Sequence, residues 1–322
     1  MIEGVENMGK IAFVFPGQGS QVVGMGHAIA DLNPKAREIF DMADKRLGSE
    51  LSSIIFNGPQ EELTKTTNAQ PALLTTGIAL LQCIQEAGIE PDYTAGHSLG
   101  EYTALVASGA LDFTDAVYAV SKRGEFMEEA VPNGEGTMAA VLGLDRVTLQ
   151  DVTDGVTSDG HSVQLANLNC PGQIVISGTV AGVEKAGIEA KEKGAKRVLP
   201  LQVSGPFHSA LMQPAAEKFN AVLQNIEIKD ALIPVIANVT ASPITNHEVI
   251  QEKLVEQLYS PVLWEDSVVK MIELGVDTFI EIGPGKVLSG LIKKINRNVR
   301  TFSVQDPESC QATIEALREE VK

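Results

Sequence analysis

The first apolar run of the chain, Lys10 to Phe15, is short, rich in β-formers and stopped by Pro16-Gly17. A run that ends this way at a glycine-rich loop predicts a buried strand feeding a helix, the mark of an α/β fold. Helical patterns follow to about Phe56. From Thr66 to Gln85 there is no charge, yet Thr, Gln and Asn interrupt the apolar positions, so the stretch predicts a buried helix and not a membrane span. That helix is expected from Pro71 to Ala87, with proline in its first turn and Gly88 just past its end. Tyr93 to Ala95 reads as a short strand, Leu99 to about Ser108 as a small-residue helix, and Asp112 to about Ala130 as a longer helix. Pro132-Asn133-Gly134-Glu135-Gly136 then punctuates the chain strongly enough to mark a boundary.

Beyond that boundary the rhythm changes. Strand Met138 to Leu142, helix Val147 to Val156, strands Ser162 to Leu168 and Ile174 to Ser177, helix Val183 to Lys193 and strand Arg197 to Val203 follow one another. This β-α-β-β-α-β order is the split arrangement of a ferredoxin-like unit. After Gly205-Pro206 long helices and short strands return: a helix near Ala215 to Asn225, strand Val235 to Ala237, helices from Val249 and Trp264, and strand Thr278 to Ile282. Gly283-Pro284-Gly285 opens a helix to about Asn296, and Thr301 to Val304 precedes a last helix. The expected domain organisation is an α/β parallel-sheet core from residues 10–131 and 205–322, with a βαββαβ subdomain inserted at 132–204. Residues 1–9, polar and acidic ahead of the first strand, read as a leader outside the fold.

Composition narrows the function classes. The chain has 322 residues, 44% of them hydrophobic, and a mean hydropathy of +0.05, which supports a sizeable core and excludes a disordered or fibrous protein. Its 25 basic and 42 acidic residues give a net charge of −17, which repels phosphate backbones and argues against nucleic-acid binding. Cys83, Cys170 and Cys310 are few, odd in number and widely spaced, so they read as ordinary thiols of a reducing, cytoplasmic setting. No metal site is expected, since neither HExxH nor a spaced His/Cys cluster occurs. The glycine pairs at Gly17, Gly24 and Gly283 lack the third glycine of a dinucleotide loop.

One motif carries chemistry. Gly96-His97-Ser98-Leu99-Gly100 fits GxSxG between a strand and a helix, where small flanking residues let a tight turn expose the serine oxygen. Such an elbow predicts a hydrolase-like core, and the helix N-terminus behind it offers N–H groups to an oxyanion. The competing reading is a turn whose serine only caps the helix. A nucleophilic serine needs a base. Of His27, His97, His161, His208 and His247, the turn should send His97 away from Ser98, while His161 and His247 sit in polar loop sequence. His208 follows a strand and the Gly205-Pro206-Phe207 break, so it is the favoured base.

Taken together, Phe15 to Gln21 (FPGQGSQ), Gly96 to Tyr102 (GHSLGEY), Arg123 in a Lys-Arg-Gly helix, Asn167 to Gly172 (NLNCPG), Gly205 to Ser209 (GPFHS) and Gly283 to Lys286 (GPGK) resemble the malonyl-CoA:acyl carrier protein transacylases. The resemblance runs in order from Lys10 to beyond Asn296. It implies that Ser98 takes malonyl from coenzyme A as an ester, that His208 acts as base and then acid, and that the phosphopantetheine thiol of acyl carrier protein receives the group. It implies an oxyanion hole from the backbone N–H groups of Gln18 and Leu99. It implies a histidine oriented by a backbone carbonyl, placed at Gln257, with an asparagine such as Asn167 and no aspartate. Arg123 would pair with the malonyl carboxylate; read without the resemblance, it is a surface partner of Glu125 or Glu128. Phe207 would wall the pocket.

The partners implied are malonyl-CoA and acyl carrier protein, with no cofactor beyond the coenzyme A thioester, and the enzyme is expected to be a cytoplasmic monomer of fatty-acid synthesis. Carrier proteins of this type are acidic, which points to two basic clusters for docking: Lys196 with Arg197, and Lys286, Lys293, Lys294, Arg297 and Arg300. A serine hydrolase or thioesterase using the same Ser98 and His208 is the alternative, and a non-catalytic carrier or coenzyme A binding subunit is a third.

Overall fold

The structure, a computed structural model, describes residues 9–132 and 134–319. The expected leader therefore lies outside the described residues except for Gly9. β1 (Lys10–Phe15) leads through a glycine loop to four short or medium helices, α1 (His27–Leu32), α2 (Pro34–Leu47), α3 (Leu51–Asn57) and α4 (Gln60–Thr64), and then to the long α5 (Thr66–Glu86). β2 (Tyr93–Gly96), α6 (Gly100–Ala107) and α7 (Phe113–Glu129) follow. β3 (Gly136–Leu142), α8 (Arg146–Ser158), β4 (Val163–Cys170), β5 (Gln173–Thr179), α9 (Val180–Glu192) and β6 (Arg197–Pro200) form the next stretch. The chain ends with α10 (Gln213–Leu223), β7 (Val235–Ala237), β8 (Ser242–Ile244), α11 (His247–Gln257), α12 (Trp264–Glu273), β9 (Val276–Ile282), α13 (Val287–Ile295), β10 (Arg300–Val304) and α14 (Pro307–Glu319).

Two sheets result. The larger runs β10-β9-β1-β2-β7-β8, parallel except for the β7–β8 hairpin. The smaller, β4-β5-β3-β6, is antiparallel throughout. Alternation along β1 explains why the large sheet is covered on both faces. Phe13 and Phe15 enter one apolar cluster with α2, α5, α7 and α10, while Ala12 and Val14 enter a second with α12 and α13. The small sheet has its own cluster, from Ala139 and Val141 to Ala190.

Several expectations need correction. α5 begins at Thr66, so Pro71 is its sixth residue and not in its first turn. The Glu128 carboxylate accepts the Thr66 N–H at 2.9 Å and fixes that earlier start, and Pro71 then costs the helix one internal hydrogen bond. β6 stops at Pro200, short of the expected Val203, and residues 201–203 line the cavity described below. The β8 strand was not expected: Pro243 at its centre argues against a strand in sequence, and the fold accommodates it because β8 is an edge strand. Cys83 and Cys310 are not ordinary thiols: they form a disulfide between the last turns of α5 and the first of α14, with Cα atoms 6.7 Å apart. Their sequence separation of 227 hid the pairing. Cys170 is free and buried.

Candidate active site

The carboxyl ends of parallel strands are where an open α/β sheet presents its loops to ligand. β2 ends in the Gly96 to Gly100 turn, and both glycines are required sterically. A Cβ on Gly96 would lie 1.9 Å from the Gly100 carbonyl carbon, and one on Gly100 would lie 2.1 Å from the Phe15 oxygen. Ser98 between them adopts φ 52°, a left-handed conformation that costs a non-glycine residue energy and is found where structure over-determines it.

The favoured base lies against this turn. His208 also has a left-handed φ, 58°, and its Nε2 sits 2.7 Å from Ser98 Oγ. Nδ1 lies 2.8 Å from the Gln257 carbonyl oxygen, an acceptor only, so Nδ1 carries the proton and Nε2 is left to accept one. Burial, and then the neighbouring Arg123 guanidinium, push the His208 pKa down to about 3, so the ring rests neutral. Asn167 lines the cavity but makes no described hydrogen bond to His208; it is held instead in the β4 run against Val262. His97 turns to Asn169, 2.8 Å away, and tilts against Trp264.

Arg123 is fully buried. The surface ion pair is ruled out as well by its would-be partners, since Glu125 takes Lys122 and Glu128 caps α5. Its guanidinium donates to Gln70 Oε1 at 2.8 Å, Gln257 Oε1 at 2.9 Å and Ser98 Oγ at 3.2 Å, and it stands 5.3 Å from the centre of the Tyr102 ring. All these direct partners are neutral. The backbone N–H groups of Gln18 and Leu99 are donors in none of the described hydrogen bonds, and Leu99 is the N-cap residue of α6. The Gln18 side chain donates to Thr66 Oγ1 at 3.1 Å, which ties the glycine loop to α5.

Sequence reasoning missed three supports. Asn238, just after β7, accepts the Ser98 N–H at 2.7 Å and donates to the Gly96 carbonyl at 2.6 Å, stapling the turn. The Gln257 side chain, known beforehand only for its backbone, donates to the Ser98 carbonyl at 3.0 Å and to Glu101 at 2.6 Å. Gln70 holds the far side of Arg123. A charge in the otherwise apolar helix after the turn was the one available signal for Glu101; nothing in the sequence marks Asn238.

These groups surround a cavity of about 140 Å³ whose apolar wall includes Met127, Met138, Leu201, Val203 and Phe207. None of Lys196, Arg197, Lys286, Lys293 or Lys294 lines it. Lys196 and Arg197 are exposed. Lys294 donates to Gln173 of the small sheet, and Lys293 to the backbone carbonyls of Arg297 and Val299. Among the described residues no cluster of His, Cys, Asp and Glu could hold a metal, and no helix is long and apolar enough to cross a membrane.

The acyl transferase domain family matches residues 12–314. A Bacillus subtilis (strain 168) protein named malonyl CoA-acyl carrier protein transacylase is 64% identical over 313 residues, covering 97% of this chain and 99% of that one. The solved malonyl CoA-acyl carrier protein transacylase of Clostridium perfringens superposes with a TM-score of 0.93 at 44% identity, over 97% of this chain and 98% of that one. A malonyl-transacylase solved in complex with the holo form of its type II PKS acyl-carrier protein matches at 0.93 and 44%, over 95% and 99%.

Proposed function

The chain belongs to the acyl transferase family, and on that premise we propose that it moves a malonyl group from malonyl-CoA, through an ester on Ser98, to the phosphopantetheine thiol of acyl carrier protein in fatty-acid synthesis. One observation carries the reading: a buried guanidinium 3.2 Å from the nucleophilic oxygen. A cation there meets the far carboxylate of a short dicarboxylic acyl group whose thioester carbon lies at Ser98, with two parallel charge-assisted bonds available.

Ser98 Oγ attacks the thioester carbon while its proton passes to His208 Nε2. Negative charge develops on the former carbonyl oxygen, where the Leu99 and Gln18 N–H groups act as donors. Collapse breaks the carbon–sulfur bond, and the coenzyme A sulfur leaves with the proton from His208. The carrier thiol then gives its proton to His208, attacks the ester, and Ser98 recovers the proton as it leaves. The Gln257 carbonyl keeps the imidazole in the required tautomer, so no aspartate is needed. Phe207 restricts the acyl group from the apolar side. The malonyl carboxylate has a second effect, since it offsets the Arg123 charge that helps hold the His208 pKa down, and so restores basicity when the proper substrate is bound.

We read residues 10–131 with 205–322 as a hydrolase-like core and 132–204 as a ferredoxin-like subdomain. The antiparallel order β4-β5-β3-β6 and a separate apolar cluster support this. Lys196 with Arg197, and exposed Lys286 and Lys294, are the surfaces we assign to an acidic carrier protein. A coenzyme A thioester and a carrier protein as substrates fit a cytoplasmic monomer. Hydrolysis by the same pair is the second reading, and Arg123 counts against it because water needs no carboxylate partner. Incubation with malonyl-CoA and holo carrier, followed by intact-mass analysis, tests the choice. Transfer gives a malonyl adduct on Ser98 and then on the carrier; accumulation of free malonate instead would establish the hydrolase.

A further inference from the structure

Behind the site lies a buried carboxylate that the acyl transfer itself does not use. Glu101 is 1% exposed, and its Oε2 accepts from Gln257 Nε2 at 2.6 Å and from the Asn238 N–H at 3.2 Å. The other end of the same Gln257 amide, Oε1, accepts from Arg123 Nη2 at 2.9 Å. A carboxylate and a guanidinium are therefore joined through a single amide, which each polarises in the same sense. Since the direct partners of Arg123 are neutral, Glu101 is the carboxylate whose charge reaches it.

We propose that Glu101 is the resting counterion of Arg123 and yields it to the substrate by taking up a proton, so that malonyl binding is coupled to protonation of Glu101 and acetyl binding is not. This rests on the reading of Arg123 as the partner of the malonyl carboxylate. One proton passes from solvent to a Glu101 oxygen as malonyl settles, and it returns to solvent when malonyl leaves for the carrier thiol. No bond of the acyl group is involved, so Glu101 is a positioning residue.

The surroundings fit such a device. Burial pushes the Glu101 pKa up to about 7, while the Gln257 and Asn238 donors and the Arg123 charge hold it down. A second carboxylate on Arg123 removes part of that restraint and raises it further. Arg123 from α7 and Tyr102 from its own helix are the ionisable groups that interact with it. The facing strands β2 and β7 carry no charged residue, β1 carries only Lys10 at its outer end, and α5 none before Glu86. The charged residues of α11 are at its surface. His208, near 3, stays neutral from about pH 6 to 8.5, and burial pushes the His97 pKa below its ordinary value.

The test counts protons. In weakly buffered indicator solution at about pH 8, stopped-flow records proton uptake per Ser98 acylated by malonyl-CoA and by acetyl-CoA, with intact mass giving the acylated fraction. Malonyl should take up close to one proton more than acetyl, and Glu101→Gln, which keeps an acceptor oxygen but cannot ionise, should abolish the excess. The malonyl-to-acetyl ratio of acylation rates should also fall roughly twentyfold to thirtyfold from about pH 6 to 8.5 in the parent enzyme and stay flat in the variant. If Ser98 acquires no malonyl, the transfer reading itself fails. If it is fully malonylated with equal proton counts for both acyl groups, or if Glu101→Gln keeps the excess, Glu101 is not the coupled group. The comparison of the two acyl groups in the parent enzyme stands even where the variant does not fold.

Discussion

Replacing Arg123 by alanine separates what the guanidinium does for the fold from what it does for the substrate. The fold component is common to every acyl group. Gln70 Oε1 and Gln257 Oε1, accepting at 2.8 and 2.9 Å, lose their donor, and each orphaned buried acceptor costs about 1–3 kcal/mol. The substrate component belongs to malonyl alone. Two charge-assisted bonds at about 1.5 kcal/mol each amount to about 3 kcal/mol, or about 150-fold in relative rate. The assay is the acylation rate of Ser98 by malonyl-CoA and acetyl-CoA, followed by intact mass, in the parent and in Arg123→Ala. Malonyl acylation should fall about 150-fold further than acetyl acylation. Arg123→Lys, which keeps the charge and loses the planar fork, should recover part of that difference. Equal losses for the two acyl groups would refute carboxylate recognition and leave Arg123 as a structural cation. Its removal should also raise the His208 pKa, since the guanidinium is the second cause of its depression.

Gly96→Ala should destabilise by more than about 4 kcal/mol, because the new Cβ falls 1.9 Å from backbone of Gly100; a urea midpoint close to the parent's would show that the turn can yield. His208 is held near a pKa of about 3 in the fold against 6.5 ordinarily, so the unfolded chain binds its proton first and stability is lost as pH falls from about 6.5 toward 3. His208→Asn, tolerant of a left-handed φ, should lose fewer degrees of Tm than the parent between about pH 6.5 and 4, and an identical slope would remove His208 from that acid limb. Opening the Cys83–Cys310 disulfide with reductant should cost about 3 kcal/mol; a denaturant midpoint indifferent to reductant would count against the pairing in solution. Reversing Lys196 and Arg197 together to Glu should raise KM for carrier protein and leave KM for malonyl-CoA alone, and an unchanged carrier KM clears that patch.

What the sequence made legible is what short-range geometry decides. The GxSxG turn is constrained by contacts among Gly96, Ser98, Gly100 and the end of β1, so its residues carry the signal within a few positions. β1 and the β3-to-β6 order were readable for the same reason: alternation and turn chemistry are local properties. The supports were not legible, because each depends on which loop of the closed sheet falls next to which. Asn167, Asn169 and Asn238 are chemically alike, yet β7 lies beside β2 in the sheet, and that adjacency brings Asn238 to the Ser98 N–H, 140 residues away in the chain. The disulfide and the partners of Gln257 escaped notice for that reason too.

Arg123 lies between these cases and shows how the two kinds of information combine. Its position in a Lys-Arg-Gly helix favours a surface ion pair on sequence alone, and nothing local argues otherwise. Burial of an ion among neutral amides is costly, and the fold offsets that cost with Gln70, Gln257, the Ser98 hydroxyl, the Tyr102 ring and, one amide away, Glu101. A cation meant only to hold helices together would be more stable paired directly with a carboxylate. Keeping Glu101 behind an intervening glutamine leaves the guanidinium partly unspent toward Ser98. That arrangement weakens the resting pair and preserves attraction for a carboxylate arriving on the substrate.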